Sequence, residues 1–321
     1  IMKVFDCTTF FDENLMLEVR FNILNKHVDK FIIAEAKYSH SGEKKKLNFN
    51  INKFTEFKKK IIYLVVENEP DGIVYQKGDQ KLFENKSDMR KNSIKRIAYQ
   101  RNKIAESLSG ADGEDYIFYS DNDEIPNFNN FNFKDSQNSI IIFKQKLFYY
   151  KFNLFCDRVE WYGTKGCKKK NLISLSWLRE VKGKKYPFFR FDTFFSRKKY
   201  QNVKIIENGG WHFSQLKTPE DIEIKLLNQE HHDEYKLAKK NSASVVFQPK
   251  DMGPLTGGCH FTWDCEKYID KGTRYPHCGN QVRLKCITEK QWIRSSCSTA
   301  TGADRAGRQA AEPQGALWLP R

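Results

Sequence analysis

The segment Tyr116-Ile117-Phe118-Tyr119-Ser120-Asp121-Asn122-Asp123-Glu124-Ile125-Pro126 joins a short apolar run to a cluster of carboxylates. The run from Tyr116 to Tyr119 predicts a strand that is buried on both faces, which is typical of parallel sheets covered by helices. Two similar runs precede it, at residues 30–35 and 60–66, and a shorter one lies at residues 3–5. Strands that alternate with helical segments in this order predict an α/β fold with a mostly parallel sheet.

Two amphipathic segments are predicted to be connecting helices. Residues 14–28 repeat apolar side chains at helical spacing, and residues 93–108 carry an apolar stripe that begins at Ile94. Arg101 lies on that stripe, so its guanidinium group is expected to face the core and to need an anion there. The candidate anions are a bound phosphate, the acidic segment and a structural carboxylate.

Later strands are expected at residues 139–148 and 190–195, where polar and apolar side chains alternate more clearly. Alternation of this kind is typical of strands with one solvated face. We therefore expect the parallel part of the sheet to continue into a mixed edge.

Three carboxylates stand within four residues, at Asp121, Asp123 and Glu124. In open α/β sheets, ligands bind beyond the carboxyl ends of the strands, and this cluster directly follows one predicted strand. A hard divalent cation such as Mn²⁺ or Mg²⁺ prefers oxygen ligands and would offset the mutual repulsion. Asp121 and Asp123 are therefore predicted metal ligands, and Pro126 is predicted to end the strand. The alternative is a solvated acidic turn.

A second dense segment is Asn208-Gly209-Gly210-Trp211-His212-Phe213-Ser214. The two glycines allow a sharp backbone turn, which predicts a loop that carries His212. Thr218 and Pro219 then predict the start of a helix, with threonine as the N-cap and proline in the first turn. We expect His212 to be a further metal ligand on this loop.

The chain carries a net charge of +15, with 55 basic and 40 acidic residues. Its lysines are scattered between acidic residues and form no basic helix, so nucleic acid is not the expected partner. A basic surface equally suits an anionic nucleotide or peripheral contact with a membrane. The sequence contains no run of 18 apolar residues, and only three cysteines lie before residue 248. A cytoplasmic location is therefore expected.

Composition changes near residue 247, so residues 1–247 are predicted to form the folded domain and residues 248–321 an irregular tail. The tail is rich in cysteine first and then in Ala, Gly and Arg, and from residue 298 it resembles a foreign or disordered segment. Tight zinc sites pair their ligands two to four residues apart, and the five cysteines here are spaced more widely. No zinc module is predicted.

Several segments, in this order, resemble glycosyltransferase family 17. They are Asp6–Phe11, Leu17–Arg20, Val28–Glu35, Ser39–Gly42, Gln100–Asn102, Ser120–Pro126, Gly210–Ser214, Lys225 and His232–Glu234. The resemblance therefore runs from Asp6 to about Glu234. It implies a GT-A-like nucleotide-sugar-binding fold, a UDP-sugar donor that is typically UDP-N-acetylglucosamine, a divalent metal and inversion at the anomeric carbon.

This resemblance gives the predicted residues their roles. Asp121, Asp123 and His212 are expected to hold the metal ion, and Arg101 to offset charge on the departing nucleotide. The donor-binding set is expected to be Glu35, Arg101, Asp121 and Trp211.

The general base is the less determined part of the predicted site. Glu124 is adjacent to the metal site and is the first candidate, while Glu160 and Asp192 on the later strands are alternatives. The animal members of the family carry a membrane anchor that this sequence lacks, so the expected acceptor is a surface or lipid-linked glycan.

Two other function classes compete with this hypothesis. A nucleotidyltransferase acting on sugar phosphates would share the fold and the acidic site, although a Gly-rich basic loop normally follows its first strand, where this chain has Asp6–Phe10. A non-catalytic protein that binds glycans or nucleic acid would need no acidic cluster.

Overall fold

The computed structural model describes residues 2–75, 86–134, 139–183, 202–230, 232, 235 and 284–286. Contacts divide the chain into Ile1–Cys286 and Ile287–Arg321, and all the described residues belong to the first unit. The domain boundary near residue 247 stays a prediction. Leu284–Cys286, within the segment expected to be irregular, forms a short strand.

The described residues form ten strands and four α-helices. The strands are β1 (Val4–Phe10), β2 (Lys30–Ala36), β3 (Ile61–Val66), β4 (Tyr116–Asp121), β5 (Glu124–Pro126), β6 (Ile140–Tyr149), β7 (Leu154–Lys168), β8 (Val203–Ile206), β9 (Gly210–Ser214) and β10 (Leu284–Cys286). The helices are α1 (Asn14–Leu24), α2 (Lys86–Lys103), α3 (Leu175–Glu180) and α4 (Pro219–Asn228). A 3₁₀ turn, Ile104–Leu108, follows α2.

All these strands belong to one sheet, in the order β3-β2-β1-β4-β7-β6-β9-β5, with β8 beside β6 and β10 beside β7. Strands β1 to β4 are parallel, β7 runs antiparallel to β4 and β6, and β9 is parallel to β6. The predicted α/β class and mostly parallel sheet are therefore confirmed. Because β1, β2 and β4 point the same way, their carboxyl ends meet at one edge, where ligands bind in such folds.

Of the local predictions, one is confirmed, one is wrong, and one strand was missed. Pro126 is the last residue of β5, so a strand ends there as predicted, and it pairs with Gly210 at the edge of the sheet. His212 lies in β9 and not on a loop. The long strand β7 was not predicted. The strand expected at residues 190–195, with Asp192, lies outside the described residues.

Helix α2 buries a polar face instead of the predicted apolar stripe. Ile94 is 48% exposed, whereas Ser93, Arg96 and Gln100 are buried. The reason is that α2 packs against polar backbone and a carboxylate: Gln100 Nε2 donates to Ala34 O at 2.9 Å, and Arg96 pairs with Glu69.

The glycine pair before β9 permits close approach of β9 to β5. Gly210 has φ +123°, and a Cβ atom there would lie 2.1 Å from Ile125 O. Gly209 N donates to Lys144 O at 2.7 Å, and Asn127 N donates to Gly209 O at 2.9 Å. Glycine is therefore required by backbone packing, and the result is the register that sets Glu124 opposite His212.

The large core cluster draws on β1, β2, β4, β6, β7 and α3. Ser174 is the N-cap of α3, since its side chain accepts a hydrogen bond from Trp177 N, and Leu175 and Leu178 pack into that core. This packing fixes the last turn of α3 beside the carboxyl edge of the sheet. None of the helices in the described part of the chain combines the length and apolar character needed to cross a membrane.

Arg20 of α1 is fully buried and joins three neighbouring elements. Its Nε and Nη2 donate to Asp6 in β1 at 2.6 and 2.5 Å, Nη2 also donates to Ser120 Oγ at 2.5 Å, and Nη1 donates to Glu124 O at 2.7 Å. A buried charge pair of this kind is costly to break, because the remaining partner is left unpaired in the interior.

We therefore expect Arg20→Met to lower the free energy of unfolding by about 3–5 kcal/mol, measured by urea denaturation. The double variant Asp6→Leu with Arg20→Met should recover much of that loss, since it leaves no unpaired carboxylate. Lys103→Met is the control, because its exposed pair with Glu106 is expected to contribute little to stability. A loss for Arg20→Met as small as that of the control would contradict the assignment.

Candidate active site

A cavity of about 290 Å³ opens at the carboxyl edge of the parallel strands. Its walls include Thr9 at the end of β1, Ala36 at the end of β2 and Asp121 at the end of β4. Ser214 of β9 and Lys225 of α4 line the same cavity. The topology therefore brings the acidic segment and the glycine-tryptophan-histidine segment to one site.

Asp121 is held between two arginines. Arg179 Nη2 donates to Asp121 Oδ2 at 2.6 Å, and Arg101 Nη2 lies 3.3 Å from Oδ1. Tyr119 OH donates to the same Oδ1 at 3.2 Å and accepts from Arg101 Nε at 3.0 Å. Burial alone would raise the pKa of Asp121, but Arg179 and then Arg101 lower it to about 2, so the carboxylate stays ionised.

Glu124 is fully buried and does not line the cavity. Arg179 forms a bidentate pair with it, from Nη1 to Oε2 at 3.0 Å and from Nη2 to Oε1 at 2.8 Å, and Trp161 Nε1 donates to Oε1 at 2.8 Å. Burial disfavours the charge of Arg179, but Asp121 and Glu124 outweigh it and raise the arginine pKa. The Glu124 carboxylate therefore orients Arg179 and has no surface on the cavity.

Asp123 meets His212 because β5 pairs with β9. Phe213 N donates to Asp123 O at 2.9 Å, and His212 Nε2 lies 3.5 Å from Asp123 Oδ1. Lys225 Nζ lies 3.5 Å from Oδ2, on the other side of the carboxylate. Burial would raise the pKa of Asp123, but Lys225 and His212 hold it well below its usual range. The Trp161 ring packs on the His212 ring, with 4.3 Å between centroids.

The three predicted metal ligands line the same cavity, but they differ in how far their oxygen and nitrogen atoms are occupied. Both oxygens of Asp121 accept from arginines, at 2.6 and 3.3 Å, whereas the two cationic partners of Asp123 lie farther away, at 3.5 Å each, so Asp123 fits better as a ligand. Asp123 and His212 form a close carboxylate–imidazole pair, which fits a cation that takes its other ligands from a substrate phosphate and water. Among the described residues, no group of three or more His, Cys, Asp or Glu could hold a metal by itself.

Two predicted donor-binding residues are outside the cavity wall. Glu35 is fully buried and accepts from Lys45, from the backbone N–H groups of Asn48 and Phe49 at 2.7 and 3.0 Å, and from Tyr63 OH at 2.9 Å. These hydrogen bonds hold the segment that follows β2 in place.

Trp211 precedes His212 in β9, and consecutive strand residues face opposite sides of the sheet. Because His212 lines the cavity, the Trp211 side chain belongs to the other face.

The candidate base Glu160 is also outside the cavity. Its side chain is exposed and pairs with Lys144 at 2.7 Å. Neither it nor Glu124 lines the cavity, so neither is placed to accept a proton from a ligand bound there.

Sequence reasoning missed Arg179, which contacts both Asp121 and Glu124. The residue lies in a six-residue helix without a motif, and its two partners are 58 and 55 positions away. No signal was available from the sequence, because the strand β7, which contains the supporting residue Lys165, was itself not predicted. The buried ammonium group of Lys165 donates to Arg179 O and to Val181 O at 2.6 Å, and so anchors the end of α3. Burial, and then the charge of Arg179, lowers the pKa of Lys165 to about 8.

His40 also lines the cavity, and its ring is held neutral. Burial, followed by the charge of Arg101, lowers the pKa of His40 to about 4. In the unfolded chain a histidine titrates near pH 6.5, so between about pH 6.5 and 4 the unfolded state binds more protons. Stability is therefore expected to fall as the pH drops through this window.

We expect His40→Gln to remove this component of the acid sensitivity. Between pH 7 and pH 5, the unchanged protein should lose up to about 2 kcal/mol more unfolding free energy than the variant. Urea denaturation at the two pH values measures the difference. An equal loss in both proteins would show that His40 titrates normally in the folded state.

Comparison with known proteins gives one family and several distant structures. No curated protein matches the chain. The crystal structure of HddC from Yersinia pseudotuberculosis is 11% identical with a TM-score of 0.34, covering 75% of this chain and 100% of that chain. The same protein complexed with GMP-PN gives 10% identity and a TM-score of 0.32, with the same coverage of 75% and 100%.

The inositol-1-phosphate CTP transferase from T. maritima is 12% identical with a TM-score of 0.31, covering 68% of this chain and 91% of that chain. TM-scores this low assign neither a specific fold nor a function.

The family model described as glycosyltransferase family 17 matches residues 1–182. The matched stretch is more than half of the 321 residues and contains Arg20, Arg101, the acidic segment and Arg179. His212 and Lys225 lie beyond it. This chain belongs to glycosyltransferase family 17.

Proposed function

We propose that this protein transfers a sugar, N-acetylglucosamine, from a UDP-sugar donor to a glycan or glycolipid acceptor, with inversion and with the help of Mn²⁺ or Mg²⁺. We further propose that its α/β domain is GT-A-like. Family membership supports the reaction class. The observation that best supports an anionic nucleotide-sugar donor is a set of fixed cations around the carboxylates of the cavity, namely Arg101, Arg179 and Lys225.

In glycosyl transfer from a nucleoside diphosphate, negative charge develops on the departing diphosphate. Cations that are already held in place stabilise this charge without reorganisation during the reaction. Asp121 and Glu124 fix the guanidinium group of Arg179, and Asp121 and Tyr119 fix that of Arg101. We propose that these two arginines face the donor diphosphate, with Asp121 acting as their common anchor.

Asp123 and His212 are the residues that we propose to hold the divalent cation. When bound, the cation acts as a Lewis acid that withdraws charge from the diphosphate oxygens. Lys225 lies at the other oxygen of Asp123 and keeps that carboxylate oriented. This assignment differs from the sequence-based hypothesis in two roles. Asp121 is now proposed to hold the arginines and not the metal ion, and Glu124 is proposed to position Arg179 and not to act as the base.

Inverting transfer also requires a base for the proton of the acceptor hydroxyl. Glu13 lines the cavity and forms no ion pair with the described residues, in contrast to Asp121 and Asp123. Its Oε2 accepts from the backbone N–H groups of Phe11 and Asp12 at 3.3 and 3.2 Å, which fixes the carboxylate at the end of β1. We propose Glu13 as the general base.

The metal assignment is tested by calorimetry of UDP binding with Mn²⁺ and with chelator. We expect UDP to bind at least about tenfold more tightly with Mn²⁺, because a cation held by Asp123 and His212 would offset the negative charge of the diphosphate. Asp123→Ala and His212→Ala should each abolish that difference. Asp121→Asn should weaken binding under both conditions and leave the metal effect in place.

Glu114→Gln is the control, since this exposed carboxylate pairs with Lys168 and Lys170 and lies outside the cavity wall. Loss of the metal effect in Asp121→Asn, but not in Asp123→Ala, would reverse the assignment of the two aspartates. The reaction class is read from UDP release on incubation with UDP-N-acetylglucosamine. Pyrophosphate release from UTP and a sugar phosphate, without UDP release, would instead show a nucleotidyltransferase.

Glu13→Gln tests the base. We expect the rate of UDP-sugar hydrolysis to fall by about 100-fold, with UDP affinity unchanged, because glutamine keeps the backbone contacts and loses the proton acceptor. Asp12→Asn, at a carboxylate that pairs with Lys217, is the matched control and should hydrolyse the donor at nearly the original rate. Equal rates for Glu13→Gln and the control would rule out this role.

A further inference from the structure

Four cavity-lining side chains carry a shielded polar atom that has no hydrogen-bond partner in the described part of the chain. These atoms are Tyr38 Oη, Asn122 Oδ1, His212 Nδ1 and Gln215 Oε1. The four residues are only 5%, 5%, 7% and 8% exposed. A buried acceptor without a donor costs folding free energy, and such groups are rare in native proteins unless water or a ligand satisfies them. Their occurrence together in one cavity therefore points to a ligand.

Gln215 is held in the cavity by strained backbone. Its φ is +57°, in the left-handed region that non-glycine residues seldom occupy, and it lies directly after β9. Tyr150 directly follows the neighbouring strand β6, has φ +62° and donates its backbone N–H to Ser214 O at 3.0 Å. Strain of this kind concentrates at ligand-binding positions, where the surrounding structure enforces it.

The chemistry of the unpaired atoms selects the ligand. Asn122 Oδ1 and Gln215 Oε1 are amide carbonyl oxygens, which only accept hydrogen bonds. A fully ionised phosphate has no donors and would be repelled by them, whereas the hydroxyl groups of a sugar donate. The cavity also presents Ser214, which directly precedes Gln215, and the Trp161 ring, which stacks on His212.

We propose that Gln215, with Asn122, forms a subsite that binds the hydroxyl groups of an uncharged pyranose ring, and that Gln215 determines sugar specificity. This inference rests on the proposed function. The ring is either the transferred sugar of the donor or the accepting sugar, since both present the same hydroxyl chemistry. An amide carbonyl discriminates against a sugar that lacks the matching hydroxyl, because the buried acceptor then stays unpaired.

The test uses two substitutions of Gln215. Gln215→Met removes the amide at similar length, and Gln215→Gly removes it while relieving the left-handed backbone, so this variant should fold at least as stably. Gln145→Met is the matched control. Gln145 is also a buried glutamine with an unpaired Oε1, but it does not line the cavity.

Calorimetry with Mn²⁺ compares UDP, UDP-N-acetylglucosamine and UDP-glucose, and then a panel of methyl pyranosides added to the UDP-loaded protein. We expect both Gln215 variants to lose about tenfold in affinity for the sugar-containing ligands and to bind UDP as before. The control should bind every ligand unchanged. A loss for the UDP-sugars assigns the subsite to the transferred sugar, and a loss for the methyl pyranosides alone assigns it to the accepting sugar.

Unchanged affinities for both ligand groups, with UDP still bound, would overturn the sugar subsite and leave the proposed function standing. An unchanged protein that binds neither UDP nor any UDP-sugar would instead overturn the proposed function. The two failures are therefore distinguishable.

Discussion

The buried contact of Arg20 with Asp6, Ser120 and the carbonyl oxygen of Glu124 is the constraint on which the site depends. It joins α1 to β1, to the end of β4 and to the start of β5, so one guanidinium group fixes both flanks of the acidic segment. A planar guanidinium group can serve three differently directed acceptors at once, which an ammonium group on a flexible stem does less well. The carboxylates thus have a defined direction before any ligand arrives.

The acidic segment divides its charges between two groups of cations. Asp121 and Glu124 share Arg179, whereas Asp123 lies with His212 and Lys225. This division follows from backbone geometry: Asp121 ends one strand, and Glu124 begins another that pairs with β9. Neighbouring carboxylates consequently have different partners, and repulsion among them is offset by fixed positive charges. The same charges are those that we propose to face the donor diphosphate.

The sequence predicted correctly those features that depend only on residues close together in the chain. The apolar run before Asp121 became a central strand, and Thr218 caps α4 by accepting from Asp221 N, as its position before Pro219 indicated. The features that were predicted wrongly or missed depend on contacts between residues that are far apart in the sequence. His212 is in a strand because Gly210 lets β9 approach β5, and Arg179 has a role because its carboxylate partners lie far away in sequence. Neither relation leaves a periodic pattern in the chain.

The edge pairing of β5 with β9 has a consequence for how the site is assembled. It lies at the end of the sheet opposite to β3, and it sets His212 opposite Glu124 of the acidic segment. Gln215 directly follows β9, so the imidazole beside Asp123 and the unpaired amide are three positions apart in the sequence. Any displacement of β9 would move both groups together relative to the arginines that β4 and α3 hold. The geometry of this one strand therefore couples the position of the carboxylate–imidazole pair to that of the amide.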